Sequence, residues 1–323
     1  MAPTITSVPA MTLQAIGPRI ADNVTLGNPT FAYLRESGRV QMEDGGDYLQ
    51  EVIQWTLNGN AQSYEGWDPL SITAQDEFTA ATFNWKQYSV SPSINGLEKI
   101  RNSGPMARIN LWASKMGVAE KSIISLLDQH VHADSTTKTV KDLLGLDEFV
   151  EDNAVPSAII GGIDRSAEAW WRNKHTFGTV ANITQACRSA INKAREGTEA
   201  PKMGIAPIEA HEAIVNQNAG KQRLVNQRML DLGYQNIMID GVTIMWNRNC
   251  IGSGVTTPSV ATPWLIYFIN TDYLKLRIYR DRNFSPVAPE KPLTQDADVA
   301  FILFAGALTL SNSRFQSVLE ITG

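Results

Sequence analysis

The chain has 323 residues, 43% of them hydrophobic and 19% charged, with 23 Gly and 15 Pro. That balance supports two ordinary buried cores or one large one, and it excludes collagen-like, low-complexity and wholly disordered chains. The net charge of −5 is uneven: residues 1–85 carry three basic side chains against ten acidic ones, a net of −7, whereas the other 238 residues carry 25 against 23. Phosphate binding needs clustered Lys and Arg, so this distribution argues against a chain-wide preference for nucleic acid. It suits contact between the acidic part of one copy and the basic part of another. Two cysteines, Cys187 and Cys250, are too few for a disulfide framework. No basic region leads into an apolar run at the N-terminus, so no signal peptide is expected. The longest apolar stretch, 299–310, is too short to span a bilayer, and no membrane association is expected.

Residues 1–30 are rich in Thr, Pro, Asn and Gly and predict an extended arm, followed by a short amphipathic piece, 31–35, that ends at Gly38. After Gly45-Gly46, residues 48–55 and 71–90 are β-prone, and the polar, turn-rich segment 58–69 lies between them. The pattern predicts a projecting hairpin with a long tip. Isolated hairpins are marginal in water, and nothing in the neighbouring sequence covers this one, so a partner subunit is the expected cover. The clearest helix is expected over 105–130. Pro105 stands in its first turn, and Ile109, Trp112, Met116, Ala119, Ile123 and Leu126/Leu127 recur at steps of three and four along one face. Residues 133–160 read as a polar connection with a short helix over 140–150. Further helices are expected at 183–194, 207–215 and 221–232, the last stopped by Gly233, and a strand at 203–206. Asp240-Gly241 is a hairpin signal between 237–239 and 242–246. The tail is all strand: 264–269 reads as buried on both faces, 274–279 alternates, and 299–310 and 315–321 close the chain.

Catalytic signatures are absent: there is no phosphate-cradling loop with a lysine, no nucleophile elbow and no CxxC pair. Gly161-Gly162 reads as a turn. His130, His132 and Asp134 form the one metal-like cluster, but positions two apart on a helix point to nearly opposite sides, so a polar helix end is the better reading. Cys187 reads as a core thiol, and Cys250 as a loop thiol open to reaction. Asp272, Asp281, Asp296 and Asp298 read as strand-end caps rather than a two-metal site. No catalytic, cofactor or metal residue is therefore expected. Trp55, Tyr64, Trp67 and Phe78 on the hairpin are expected to anchor in a subunit interface rather than pack within their own subunit, and the basic stretch Lys275, Arg277, Arg280 and Arg282 to dock the acidic hairpin of a neighbour, with a nucleic-acid patch as the other reading.

The order of arm, hairpin, long helix, α/β section and closing strands resembles the major capsid protein of tailed double-stranded DNA bacteriophages, the Hong Kong 97-type fold. The strings that carry the resemblance are 45–55, 76–87, 94–104, Gly161-Gly-Ile-Asp-Arg165 with Trp171-Arg-Asn173, 270–276, 281–284, 295–297 and 311–312. It implies an α+β fold with an N-terminal arm (1–40), an E-loop hairpin (41–95) and a P-domain with its spine helix (96–175). An A-domain (176–264) and return strands (265–323) that complete both domains follow. It also implies hexamers and pentamers that tile an icosahedral head around packaged DNA, without sequence-specific binding, in a virion assembled in the bacterial cytoplasm. A portal and a decoration protein are implied partners, and so is a separate scaffolding protein, since only about 30 residues precede the matching part. No lysine occurs from 45 through 85, and Lys86 lies beyond the tip, which argues against a covalent cross-link from this loop. The alternatives are an encapsulin-like cargo compartment, which shares the fold, and a metal-dependent enzyme built on the histidine cluster.

Overall fold

The computed structural model describes residues 28–102, 111–218, 225–292 and 294–323. The extended arm expected before residue 28 lies outside them. Asn28 opens the first helix, Pro29–Glu36: its side-chain oxygen accepts the Phe31 N–H at 2.9 Å, and Pro29 has no N–H to satisfy. Gly38, at φ +68°, turns the chain out of this helix. There follow β1 (Val40–Glu43), β2 (Leu49–Gln54), β3 (Phe78–Phe83), β4 (Lys86–Val90) and β5 (Ser93–Asn95). The run expected as one strand over 71–90 is thus two, and it starts only at Phe78. β2 ends at Gln54, so residues 71–77 have no strand opposite to pair with. Trp85 leaves the ladder to donate its indole N–H to Gly46 O (2.9 Å) and to meet Tyr279 edge-on.

The long helix is described over Leu111–His132; its expected first turn, with Pro105 and Ile109, falls outside the described residues. Leu111, Ala119, Ile123, Leu127 and Val131 are buried along one stripe. The helix expected over 140–150 is a single turn, Leu146–Phe149. Its surroundings are core rather than polar connection, because Leu143, Leu146, Phe149 and Val150 are all buried. β6 (Ile159–Ile160) and β7 (Ile163–Asp164) flank Gly161 and Gly162, at φ +63° and +80°. A two-residue hairpin turn of type I′ needs positive φ at both positions.

β8 (Lys174–Thr179) leads to a helix, Ile183–Ala194, whose buried face carries Ile183, Ala186, Cys187, Ala190, Ile191 and Ala194 as expected. β9 (Met203–Ala206) and the helix Ile208–Gln217 follow. Of the helix expected over 221–232, residues 219–224 lie outside the description and the described part is only Gln227–Asp231. Asn226 is tied to Asn236 by two hydrogen bonds, which fix this stretch against the next strand. β10 (Asn236–Ile239) and β11 (Val242–Trp246) pair across Asp240-Gly241, both at positive φ. β12 (Trp264–Ile269), β13 (Leu274–Tyr279), β14 (Ser285–Glu290), β15 (Ala297–Leu310) and β16 (Ser317–Thr322) complete the chain. β12 is buried throughout and β13 alternates, as their residue patterns predict.

Two six-stranded sheets result. One runs β1-β13-β15-β14, with β4 and β5 also on β15; the other runs β10-β11-β9-β12-β16-β8. The main core joins the hairpin (Leu49, Ile53, Ala81, Phe83), the long helix (Ile123, Leu127), Trp171 and strands of both sheets. A second core lies between the second sheet and the helices 183–194 and 208–217. Arg165 is fully buried in the main body, where its guanidinium donates to Phe149 O, Glu148 O and Ser313 Oγ. Burial lowers its pKa to about 10. No described helix is long and apolar enough to cross a membrane.

Candidate assembly surface

β2 and β3 pair antiparallel from Leu49↔Phe83 to Gln54↔Phe78. Strand alternation turns Leu49, Glu51 and Ile53 inward and leaves Val52 72% exposed on the other face. The inner face at the base is covered by distant parts of the same chain, which corrects, for the base, the expectation that a partner subunit is the cover. The Thr82 N–H donates to Gly161 O (2.9 Å). Buried Glu51 accepts from Thr309 Oγ1 (2.9 Å), Lys275 Nζ (3.1 Å) and Arg277 Nη2 (2.5 Å). Burial alone would raise the Glu51 pKa, but the bonds from Thr309 and Lys275 and the two cationic charges outweigh it and hold the carboxyl below its usual range. Arg277 also reaches Glu43 at 2.9 Å. The carboxylates that answer Lys275 and Arg277 therefore come from the same chain, a partner that linear sequence could not assign. Arg280 and Arg282 stay on the surface, beside Asp44 (2.9 Å) and Gln87 (2.9 Å) respectively.

The tip folds on itself through polar bonds: Asn60 Nδ2 donates to Thr73 O (2.6 Å), Ser71 Oγ to Asn60 Oδ1 (2.7 Å), and the Glu65 N–H to Asp68 Oδ2 (3.0 Å). Its apolar side chains stay outside this fold. Trp67 is fully exposed, and Tyr64, Leu57, Leu70, Ile72 and Phe78 are largely so. Trp55, 41% exposed, meets Trp170 at 6.1 Å between ring centroids. Large apolar side chains gathered on one projecting element make it a candidate interaction surface.

Several of the residues weighed for catalysis hold contacts within the fold instead. His132 pairs with Thr30 Oγ1 (2.7 Å) and with Asp128 O (2.9 Å), His130 with Tyr88 OH (2.7 Å), and Asp134 Oδ1 accepts the Thr136 N–H (2.7 Å). Cys187 is buried, and burial raises its pKa to about 12. Cys250 is buried too and its thiol is pushed up further, so the loop thiol expected to be open to reaction is a core side chain. Asp272 binds Arg39 and Lys202, whereas Asp298 binds Lys99. Lys86 donates to Val140 O from within β4. Sequence reasoning missed Glu51, whose signal was a carboxylate at an inward position of an alternating strand. It also missed Tyr88, whose hydroxyl accepts the Leu143 N–H at 2.7 Å.

No family model matches the chain, and no curated protein does. Solved structures do, over nearly the whole length. The capsid of an empty GTA particle is 11% identical, with 98% of this chain and 99% of the other covered and a TM-score of 0.61. The cyanophage A-1(L) capsid is 12% identical, with 95% and 96% covered and a TM-score of 0.60. The SrpI encapsulin of Synechococcus elongatus is 9% identical, with 97% and 94% covered and a TM-score of 0.58. At these identities the likeness is one of fold: the chain has the α+β, Hong Kong 97-type shell fold found in tailed-phage capsids.

Proposed function

We propose that this chain is the major shell subunit of a tailed-phage head, a structural protein without an active site. The observation that carries the reading is the hairpin tip: a fully exposed tryptophan and several exposed apolar neighbours, on a fold whose whole-length structural neighbours include phage and GTA capsids. A second copy would cover that tip, with Tyr64, Trp67, Phe78 and the free face of Trp55 as anchors and the exposed Arg280 and Arg282 as cations for a neighbour's acidic hairpin. The units in this reading are the arm (1–40), E-loop (41–95), P-domain (96–175), A-domain (176–264) and return strands (265–323). Contacts between unlike surfaces close into rings of five and six, and those rings tile an icosahedral virion assembled in the host cytoplasm. A scaffolding protein, a portal and a decoration protein are its partners, and DNA is enclosed without sequence-specific contact.

Negative-stain electron microscopy with light scattering on the purified chain, alone and with the products of neighbouring genes, tests this. Closed shells or rings of five and six are expected, and a chain that stays monomeric with every neighbour product overturns the proposal. The encapsulin likeness favours one second reading, a cargo compartment. Nuclease-protected DNA inside particles purified from the native source selects the phage head, and a packaged enzyme selects the compartment.

A further inference from the structure

Where the paired strands of the hairpin give way to its tip, a cleft of about 410 Å³ opens between the start of β3 and the segment 162–170. Trp55, Phe78 and Trp170 supply its aromatic walls, and Asp76, Asp164 and Glu168 bring three carboxylates to it. Among the described residues, no lysine, arginine or histidine lines it. The walls are set by contacts within the chain. Trp170 packs against Trp55 at 6.1 Å and Trp171 at 5.5 Å, and its indole N–H donates to Glu168 Oε2 at 2.5 Å. Asp164 is held ionised below its usual range by the Ser166 hydroxyl and N–H, with a smaller share from the Arg172 guanidinium, which itself bonds the carbonyl oxygens of Arg165 and Ser166.

Aromatic faces beside three carboxylates, with no cationic side chain in the lining, select a cation. A guanidinium fits better than an ammonium, because its plane stacks on an indole while its edge forks to a carboxylate. A neutral aromatic group would bring no charge to balance the carboxylates, and an anion would be repelled. We infer that this cleft receives an arginine side chain from a second copy of the chain. Two observations favour that source: the cleft adjoins the hairpin tip whose apolar side chains are exposed, and the acidic front of the chain is complemented by a mildly basic remainder. The source of the arginine rests on the assembly proposal; the chemistry of the cleft does not.

The test titrates dissociated subunits with N-acetylarginine amide and with its uncharged citrulline counterpart, following tryptophan fluorescence. Saturable quenching by the arginine compound, at least tenfold stronger than by citrulline, is expected. Asp164→Asn with Glu168→Gln should weaken it at least fivefold at unchanged circular dichroism, and Asp76→Asn in the exposed loop provides a second variant should that pair fail to fold. Assembled shells should no longer respond, because the neighbour fills the cleft. Equal response to the two compounds, or none of the loss in the variants, overturns the cation site. Shells that respond as subunits do overturn the second copy as its source. A chain that never assembles removes that source as well, while the subunit titration still reads the chemistry of the cleft.

Discussion

Glu51 and His211 are buried ionisable side chains that should make acid unfolding occur in two separable steps. His211 has no partner for its Nε2 among the described residues, and burial lowers its pKa to about 4. The unfolded chain takes up this proton near pH 6.5, so stability is full above that value and falls as the pH drops from about 6.5 to about 4, by roughly 3 kcal/mol. Urea titrations across that window should show the fall, and His211→Leu should flatten it. Glu51 acts lower: its carboxyl is held below the ordinary value, so its contribution is whole above about pH 4.3 and disappears as the pH falls through the folded value. Glu51→Ala leaves Lys275 and Arg277 without their shared carboxylate and should cost about 3 kcal/mol at pH 7. The gap from wild type should narrow below pH 4. Neither residue was legible as a site. His211 sits in an ordinary amphipathic helix pattern, and the partners of Glu51 lie more than two hundred residues further along the chain.

The hairpin divides into a base that belongs to the subunit and a tip that does not. Its residues foretold the division only partly: the turn-rich segment 58–69 marked the tip, but the cover of the base comes from Gly161, Lys275 and Thr309, which only tertiary folding brings near. Trp67→Ala should therefore leave subunit stability within about 0.5 kcal/mol of wild type, since the side chain packs on nothing. The same change should slow or abolish particle formation in light scattering. Gly161→Ala acts at the other end. Its backbone stands at φ +63°, and an added Cβ would lie 2.7 Å from the Ala81 Cβ. A stability loss of roughly 1–3 kcal/mol is expected in thermal melts, together with poor assembly. Long periodic elements, such as the helices 111–132 and 183–194 and the strands of the tail, were legible because one face of each is continuously apolar. The short helices at 146–149 and 227–231 were overdrawn because their bounds depend on contacts made elsewhere, such as the Asn226–Asn236 bonds.

At the scale of the whole molecule, the order of elements was legible and the way they share strands was not. Charge was legible too, and it carries a prediction: dissociated subunits should bind duplex DNA no more tightly than about 10⁻⁴ M at physiological salt in a mobility-shift assay, since a shell that gripped its contents would hinder their movement. The sharing of strands centres on β15. Near its middle, Gly306 is flanked by Ile278 of β13 on one side and Lys86 of β4 on the other, and β1 joins the same sheet through β13. Early strands thus wait for late ones. While the ribosome is still adding residues before 297, the segment that would bind β4 and β5 does not exist, and Thr309, which steadies Glu51 beneath the hairpin, comes later still. Such long waits make folding slow and the nascent chain dependent on protection. Under the proposed assembly role the same dependence would act as a proofreading step: a subunit truncated by premature termination would have no docked hairpin to offer and would be left out of the particle.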